Sequence, residues 1–298
     1  MQTLLIFWNI WHSEMLNFLP SILDIGSIIL ILLLVALGLM VVFGLMRVIN
    51  MAHGEFFLFG AYGVFFLTSL GLPFSASVVL SSIIVGILGL IVESLLIRFL
   101  VKRTLDTILA TWGLSIVLKQ IVVLLFGPGS VSVELPIEGS IAMGSTLYPA
   151  YRLIVMLIAI IVVIAIILLY RYTTFGLAVR ASIEKPEMAS ALGINSRFIY
   201  RISFGLGAAC AGLAGALVAP LISVDPQMGL SYLVPSFLAI LIGGAGSLAG
   251  AIGGTIFIGG LDGLLSLNIS SVLAQIVVFS IAVILIRFRP RDLLGSGD

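Results

Sequence analysis

RYTTFGLAVRASIEKPEMASALGINSRF, residues 171–198, is the one long charge-rich stretch in a chain that otherwise reads as membrane. It holds six of the 27 charged side chains, from 14 basic and 13 acidic residues: Arg171, Arg180, Glu184, Lys185, Glu187 and Arg197. Apolar runs too long for ordinary core helices flank it on both sides, and the segment keeps helical periodicity. A polar helix between two spans implies a surface made for a soluble partner. An ordinary solvated loop would carry the same charges, and composition alone does not separate the two.

Outward from this island, hydrophobic residues make up 61% and charged residues 9% of the chain, with a mean hydropathy of +1.32. Those values belong to polytopic membrane proteins rather than soluble domains. A net charge of +1 gives no argument for nucleic acid. Two histidines and the single Cys210 leave no disulfide framework and no metal-ligand set. A span needs about 20 apolar residues. The pattern predicts spans near 25–46, 55–70, 76–97, 107–126, 151–170, 199–220 and 270–288. The stretch 232–266 is too long for one helix and breaks at GGAGSLAGAIGG (243–254) into two shorter pieces. The expected fold is an all-α polytopic membrane protein of about 8–9 membrane helices, including that Gly-broken pair.

Basic residues orient the bundle. Arg47, Arg98, Lys102, Arg103, Arg171, Arg180, Lys185, Arg197, Arg201, Arg287, Arg289 and Arg291 fall at alternate span ends. Only Lys119 and Arg152 lie elsewhere, and the opposite loops hold Glu14, Asp24, Glu134, Glu138 and Asp225. The excess of bases marks cytoplasmic loops, so the N-terminus is expected outside and the C-terminus in the cytoplasm. Residues 1–24 lack a basic n-region, and Trp8 and Trp11 suit an interfacial segment lying on the membrane.

Within the island, Pro186 can open a short helix and Gly193 can stop it. EMASALG offers small residues at Ala189 and Ser190, with Met188 and Leu192 to pack. Glu184 and Glu187 are expected at the N-terminal end, where negative charge suits the helix dipole. Such a helix is too short to fold alone.

RASIEKPEMASALGIN (180–195), followed by a Gly/Ala-rich span, resembles the cytoplasmic loop of bacterial ATP-binding-cassette import permeases. INMAHGEFFLFGAY (49–62), LDTILATWGLSIVLKQ (105–120) and LIGGAGSLAGAIGG (241–254) resemble the branched-chain amino acid and urea (amide) permease group. The likeness runs from about residue 25 to 294, so 25–294 is expected to form a single permease domain. INMAHGE, LDTILATWG and APLISVDPQMGLSYLV (219–234) look nearer the urea-type branch. The resemblance implies a subunit that hydrolyses nothing itself. It implies pairing with a second permease subunit in a heterodimer, with two cytoplasmic ATPases that hold ATP and Mg, and with a periplasmic or lipid-anchored binding protein in a bacterial inner membrane. Glu184, Glu187, Ala189, Leu192 and Gly193 match the ATPase-coupling helix. The chain itself has no GxxxxGK[ST] loop to hold nucleotide phosphates.

Asn50, His53 and Glu55 are expected at the cytoplasmic boundary of the second span, as helix caps or as part of a gate or solute path. Ionisable groups deep in a bilayer cost about 2.5–3.5 kcal/mol each on insertion scales, a cost that fades at a boundary. Thr111, Ser115 and Lys119 recur every four residues and share one helix face, beside Trp112 and Gln120. Lys119 is expected to snorkel outward or pair with an acid. Glu93 has no base four residues away and needs a partner on another helix. Asp262 reads as solvated. Small residues at Gly246, Gly250 and Gly254, and at Gly207, Ala211 and Gly215, allow close helix packing. Gly243, Gly244 and Gly246 can also break a helix and turn backbone dipoles toward a solute path. The alternative function is a stand-alone secondary transporter or channel for a small neutral solute, driven through Glu55, Glu93 or Asp262. An intramembrane hydrolase is disfavoured by the absence of HExxH and GxSxG.

Overall fold

A computed structural model describes residues 2–100, 103–143, 146–244 and 246–288, with side chains from Leu19 onward except that of Thr104. Its helices are α1 (Gln2–Met46), α2 (His53–Ser69), α3 (Phe74–Leu100) and α4 (Thr104–Phe126). After a longer connection come α5 (Ala150–Tyr172), α6 (Thr174–Glu184), α7 (Pro186–Ala191) and α8 (Ser196–Val218). The last three are α9 (Met228–Gly243), α10 (Leu248–Ser266) and α11 (Ser271–Phe288). Among the described residues seven helices are long and apolar enough to cross a membrane, and the shorter apolar α9 joins them; α2, which covers the span expected at 55–70, has 17 residues and is not one of the seven. The fold is polytopic and mostly helical. The interfacial reading of 1–24 falls largely on residues whose side chains lie outside those described. The backbone there is one continuous helix running into α1.

At the centre stands α8, whose Gly/Ala face meets α1, α2 and α3. An added Cβ on Gly38 of α1 would fall 2.4 Å from the Gly207 carbonyl oxygen, and one on Gly60 of α2 would fall 1.9 Å from that of Gly212. Such contacts require a residue without a side chain on at least one of the two helices. They replace the hydrophobic drive that is missing between helices in lipid with close van der Waals contact. Gly215 of the expected small-residue face lies on the Phe57 carbonyl, and Ala211 is fully buried. By contrast α4, α5 and α11 keep apolar faces open, with Leu105, Leu124, Ile161 and Val283 all exposed. Lipid-facing helices carry that pattern.

The break in 232–266 is narrower than the sequence suggests. α9 ends at Gly243 and α10 begins at Leu248, so residues 248–254 are already helical. Gly244 has φ +107°, a left-handed value that costs glycine nothing. Gly243 lies on Gly250 and Gly254 on Ala239, so α9 and α10 form an antiparallel hairpin. Gly259 and Gly263 in turn lie on Ile29 and Ile25, which makes α10 antiparallel to α1.

Among the described bases, Arg47, Arg98, Arg103, Arg171, Arg201 and Arg287 lie at or beside helix ends that gather at one end of the bundle, here the basic end. Lys102, Arg289 and Arg291 lie outside the described residues. The opposite end is less purely helical than expected. It carries a short antiparallel hairpin, β1 (Ser140–Met143) and β2 (Thr146–Pro149), in register Ser140↔Pro149. Arg152 there is ion-paired with Asp24.

Candidate functional site

The polar residues near the start of α2 do not sit at a membrane boundary. After Met46 the chain leaves helix at Arg47, whose φ is +51°, and runs back into the bundle to His53. His53 Nε2 donates to the Val35 carbonyl at 3.2 Å. Val35 lies 11 residues before Met46, about 16 Å along α1 at 1.5 Å per residue. Glu55, in the first turn of α2, accepts a hydrogen bond at Oε1 from Ser115 Oγ at 2.7 Å, and Ser115 is midway along the 23-residue α4. His53 and Glu55 therefore lie near the middle of the bundle's length, and all three residues are buried. The boundary placement fails because hydropathy reports which residues are apolar, not how far a non-helical connection re-enters.

Each contact has a local cause. Asn50 Oδ1 accepts from the Ala52 amide at 3.0 Å, an Asx turn that shapes the re-entrant strand of chain. Thr111 Oγ1 accepts from the Met51 amide at 3.1 Å, fastening that segment to α4, while its single hydroxyl hydrogen has the Thr107 carbonyl at 2.8 Å as its nearest acceptor. Next along the face comes Ser115, then Lys119, whose Nζ donates to Gln227 Oε1 at 3.1 Å. The four-residue stripe is thus one face, turned toward α2 and the start of α9. Trp112 lies on another face of α4 and is 57% exposed, so the structure does not bring it to the cluster. Gln227 gave no signal in the sequence, since its part depends on α9 starting beside α2, where Gly54 and Gly229 meet backbone to backbone. Glu55 Oε2, His53 Nδ1 and Asn50 Nδ2 are enclosed without a hydrogen-bond partner.

Two further ionisable residues resolve differently. Glu93 begins a single π-helical turn, Glu93–Ile97, and pairs with Arg201 of α8 at 3.6 Å. That is the interhelical partner its sequence context required. Asp262 is not simply solvated: its Oδ1 is enclosed and it lines a cavity.

The island folds as two helices. α6 occupies its first half, and Glu184 is the last residue of α6 rather than part of the N-terminal end of α7. Pro186 stands at the first position of α7 and Glu187 in its first turn. Gly193 adopts φ +87°, with its amide bonded to the Ser190 carbonyl at 3.1 Å and the Ile194 amide to that of Ala189 at 3.0 Å. That is a helix stop of the left-handed kind. Ala189 is buried, but Met188 is 58% and Leu192 77% exposed. Both are left open for packing by another surface.

Gly243, Gly244 and Gly246 form the α9–α10 turn at the basic end, away from Glu55. Gly246 lies against Gly44 of α1 and Ile183 of α6, and its carbonyl accepts from Tyr170 Oη at 3.4 Å. The turn therefore touches the island rather than the buried cluster.

Residues 21–287 match the family described as the permease component of the branched-chain amino acid transport system. The chain is 27% identical over 281 residues to the high-affinity branched-chain amino acid transport system permease protein LivH of Escherichia coli K12, covering 89% of this chain and 91% of that one. It is 26% identical to LivH of Salmonella typhimurium, with the same coverage. It is also 26% identical to BraD of Pseudomonas aeruginosa, a protein of the same description, over 89% of this chain and 92% of that one. No solved structure matches it. These likenesses give no specific support to the urea-type branch.

Proposed function

The chain belongs to the branched-chain amino acid transport permease family, and we propose from this that it is the membrane subunit of an ATP-driven importer whose solute is a branched-chain amino acid. Urea and short amides are the alternative cargo. In this reading the basic end faces the cytoplasm, which puts the C-terminus inside and the N-terminus outside a bacterial inner membrane, with residues 1–24 at its outer interface. The subunit pairs with a second, similar permease. Two cytoplasmic ATPases supply ATP and Mg, and a periplasmic or lipid-anchored protein delivers the solute.

The observation that carries this reading is the pair Met188 and Leu192, both exposed at the basic end, the first on a six-residue helix and the second at its C-terminal cap. Apolar side chains left open among charges, on an element too short to be stable alone, call for a partner. Glu184, Glu187, Ala189, Leu192 and Gly193 form the ATPase-coupling surface. α6 connects it to Gly246 and Gly44, so a push on α7 reaches the α9–α10 turn and the end of α1. Asn50, His53, Glu55, Thr111 and Ser115 flank the solute path, with Gly243, Gly244 and Gly246 at its inner end.

One observation favours a second reading. A buried carboxylate at mid-depth beside Ser115 and Lys119 is what a proton-coupled secondary transporter would use. Uptake of labelled leucine and urea in a strain lacking its own systems separates the two. Leucine uptake that stops on ATP depletion and survives an uncoupler supports the importer. Uptake that ignores ATP depletion and stops with the uncoupler rejects it.

A further inference from the structure

At the end opposite the basic one, α1, α9, α10 and α11 enclose a cavity of about 350 Å³. That size falls in the range of small-molecule sites, about 300–1,000 Å³. It is separate from the Glu55 cluster, which lies between α2 and α4. Its walls are mostly aliphatic and aromatic, including Ile28 and Leu32 of α1 and Phe279 of α11. Into this apolar setting project Asp262 of α10, Asp225 of the connection after α8, and Arg152 of α5.

The charges do not balance within the protein. The Arg152 guanidinium is matched by Asp24, which leaves Asp225 and Asp262 without a salt-bridge partner among the described residues. Asp225 Oδ1 accepts the Gln227 amide at 2.8 Å, whereas Asp262 Oδ1 is enclosed and accepts no hydrogen bond. A half-buried carboxylate without a counter-charge loses part of its hydration, and a cationic ligand offsets that loss. The Arg152 fork has more N–H groups than one carboxylate uses, so it can also receive a second anion.

We propose that this cavity binds an aliphatic α-amino acid, its ammonium at Asp262 and Asp225, its carboxylate at Arg152, and its side chain against Ile28 and Phe279. The site rests on the amino-acid cargo proposed above and adds where in the permease that cargo is recognised. It distinguishes amino acids from urea, which offers neither charge.

The test measures binding to the full chain in lipid nanodiscs, with no ATP and no other subunit. The probes are L-leucine, 4-methylpentanoate (no ammonium), isopentylamine (no carboxylate) and urea. Leucine should bind, isopentylamine more weakly, and 4-methylpentanoate and urea not at all. Asp262→Asn should weaken leucine about tenfold or more, as expected for loss of a charge-assisted hydrogen bond. Ser231→Phe, at the exposed rim of the cavity, should abolish binding. Equal binding of leucine and 4-methylpentanoate by the unaltered chain overturns the proposal without depending on any variant. So does unchanged binding in Ser231→Phe, or a cavity occupied only by phospholipid that leucine does not displace. ATP-independent uptake would instead reject the importer while leaving this binding intact. ATP-driven leucine uptake with no binding here would reject the site alone.

Discussion

At the residue scale, Glu55, Ser115 and Lys119 define the most demanding piece of chemistry in the bundle. Glu55 is buried at mid-depth with one oxygen held by Ser115 and the other unpartnered. Removing a hydrogen bond to a buried charged group costs about 1.5–3 kcal/mol. Ser115→Ala should therefore lower the thermal midpoint of the purified protein, and Glu55→Gln should make the same change much milder. Strict additivity of the two substitutions would show that the bond does not act as a unit. Glycine contacts give a sharper contrast. Gly60→Ala places a methyl group within 1.9 Å of a backbone oxygen, whereas Gly113 of α4 has nothing within 4 Å. Gly60→Ala should cost about 1–3 kcal/mol, as overpacking does, while Gly113→Ala should change stability by less than about 1 kcal/mol. Thermal unfolding in detergent reads both. The sequence exposed the Thr111–Ser115–Lys119 stripe because four-residue spacing alone places side chains on one face. It could not expose Gln227, whose contact with Lys119 exists only because two distant helix starts meet at Gly54 and Gly229.

Elements show the same division between what is local and what is tertiary. Spans were legible from apolar length, the helix stop at Gly193 from the residue type that tolerates φ +87°, and the α9–α10 break from glycine density. The depth of α2 was not legible, because Arg47–Ala52 is polar enough to read as a loop while its hydrogen bond to Thr111 holds it inside the bundle. Nor was α6, since Pro186 and Gly193 marked out one short helix in an island that holds two. Gly193→Val forces a β-branched residue into left-handed backbone, a cost of about 1–2 kcal/mol. On a six-residue helix that is enough to unravel its end. The variant should insert and unfold globally like the unaltered protein, yet show faster protease cleavage near residue 193. Unchanged cleavage would mean that the turn does not hold α7.

For the whole molecule, the separation of bases from acids predicts orientation. In a Cys210→Ala background, Glu138→Cys should react with a membrane-impermeant maleimide added to intact cells stripped of their outer membrane, and Lys185→Cys only after permeabilisation. Reaction in the reverse order would invert the bundle. The central claim is that the exposed face of α7 is where an ATPase engages. The direct measurement is co-purification of the assembled importer, carrying either the unaltered permease or Met188→Glu with Leu192→Glu. The unaltered permease should retain its ATPase subunits and support ATP-driven leucine uptake, while the double variant should insert normally but lose both. An ATPase that stays bound, with uptake unchanged, would contradict it.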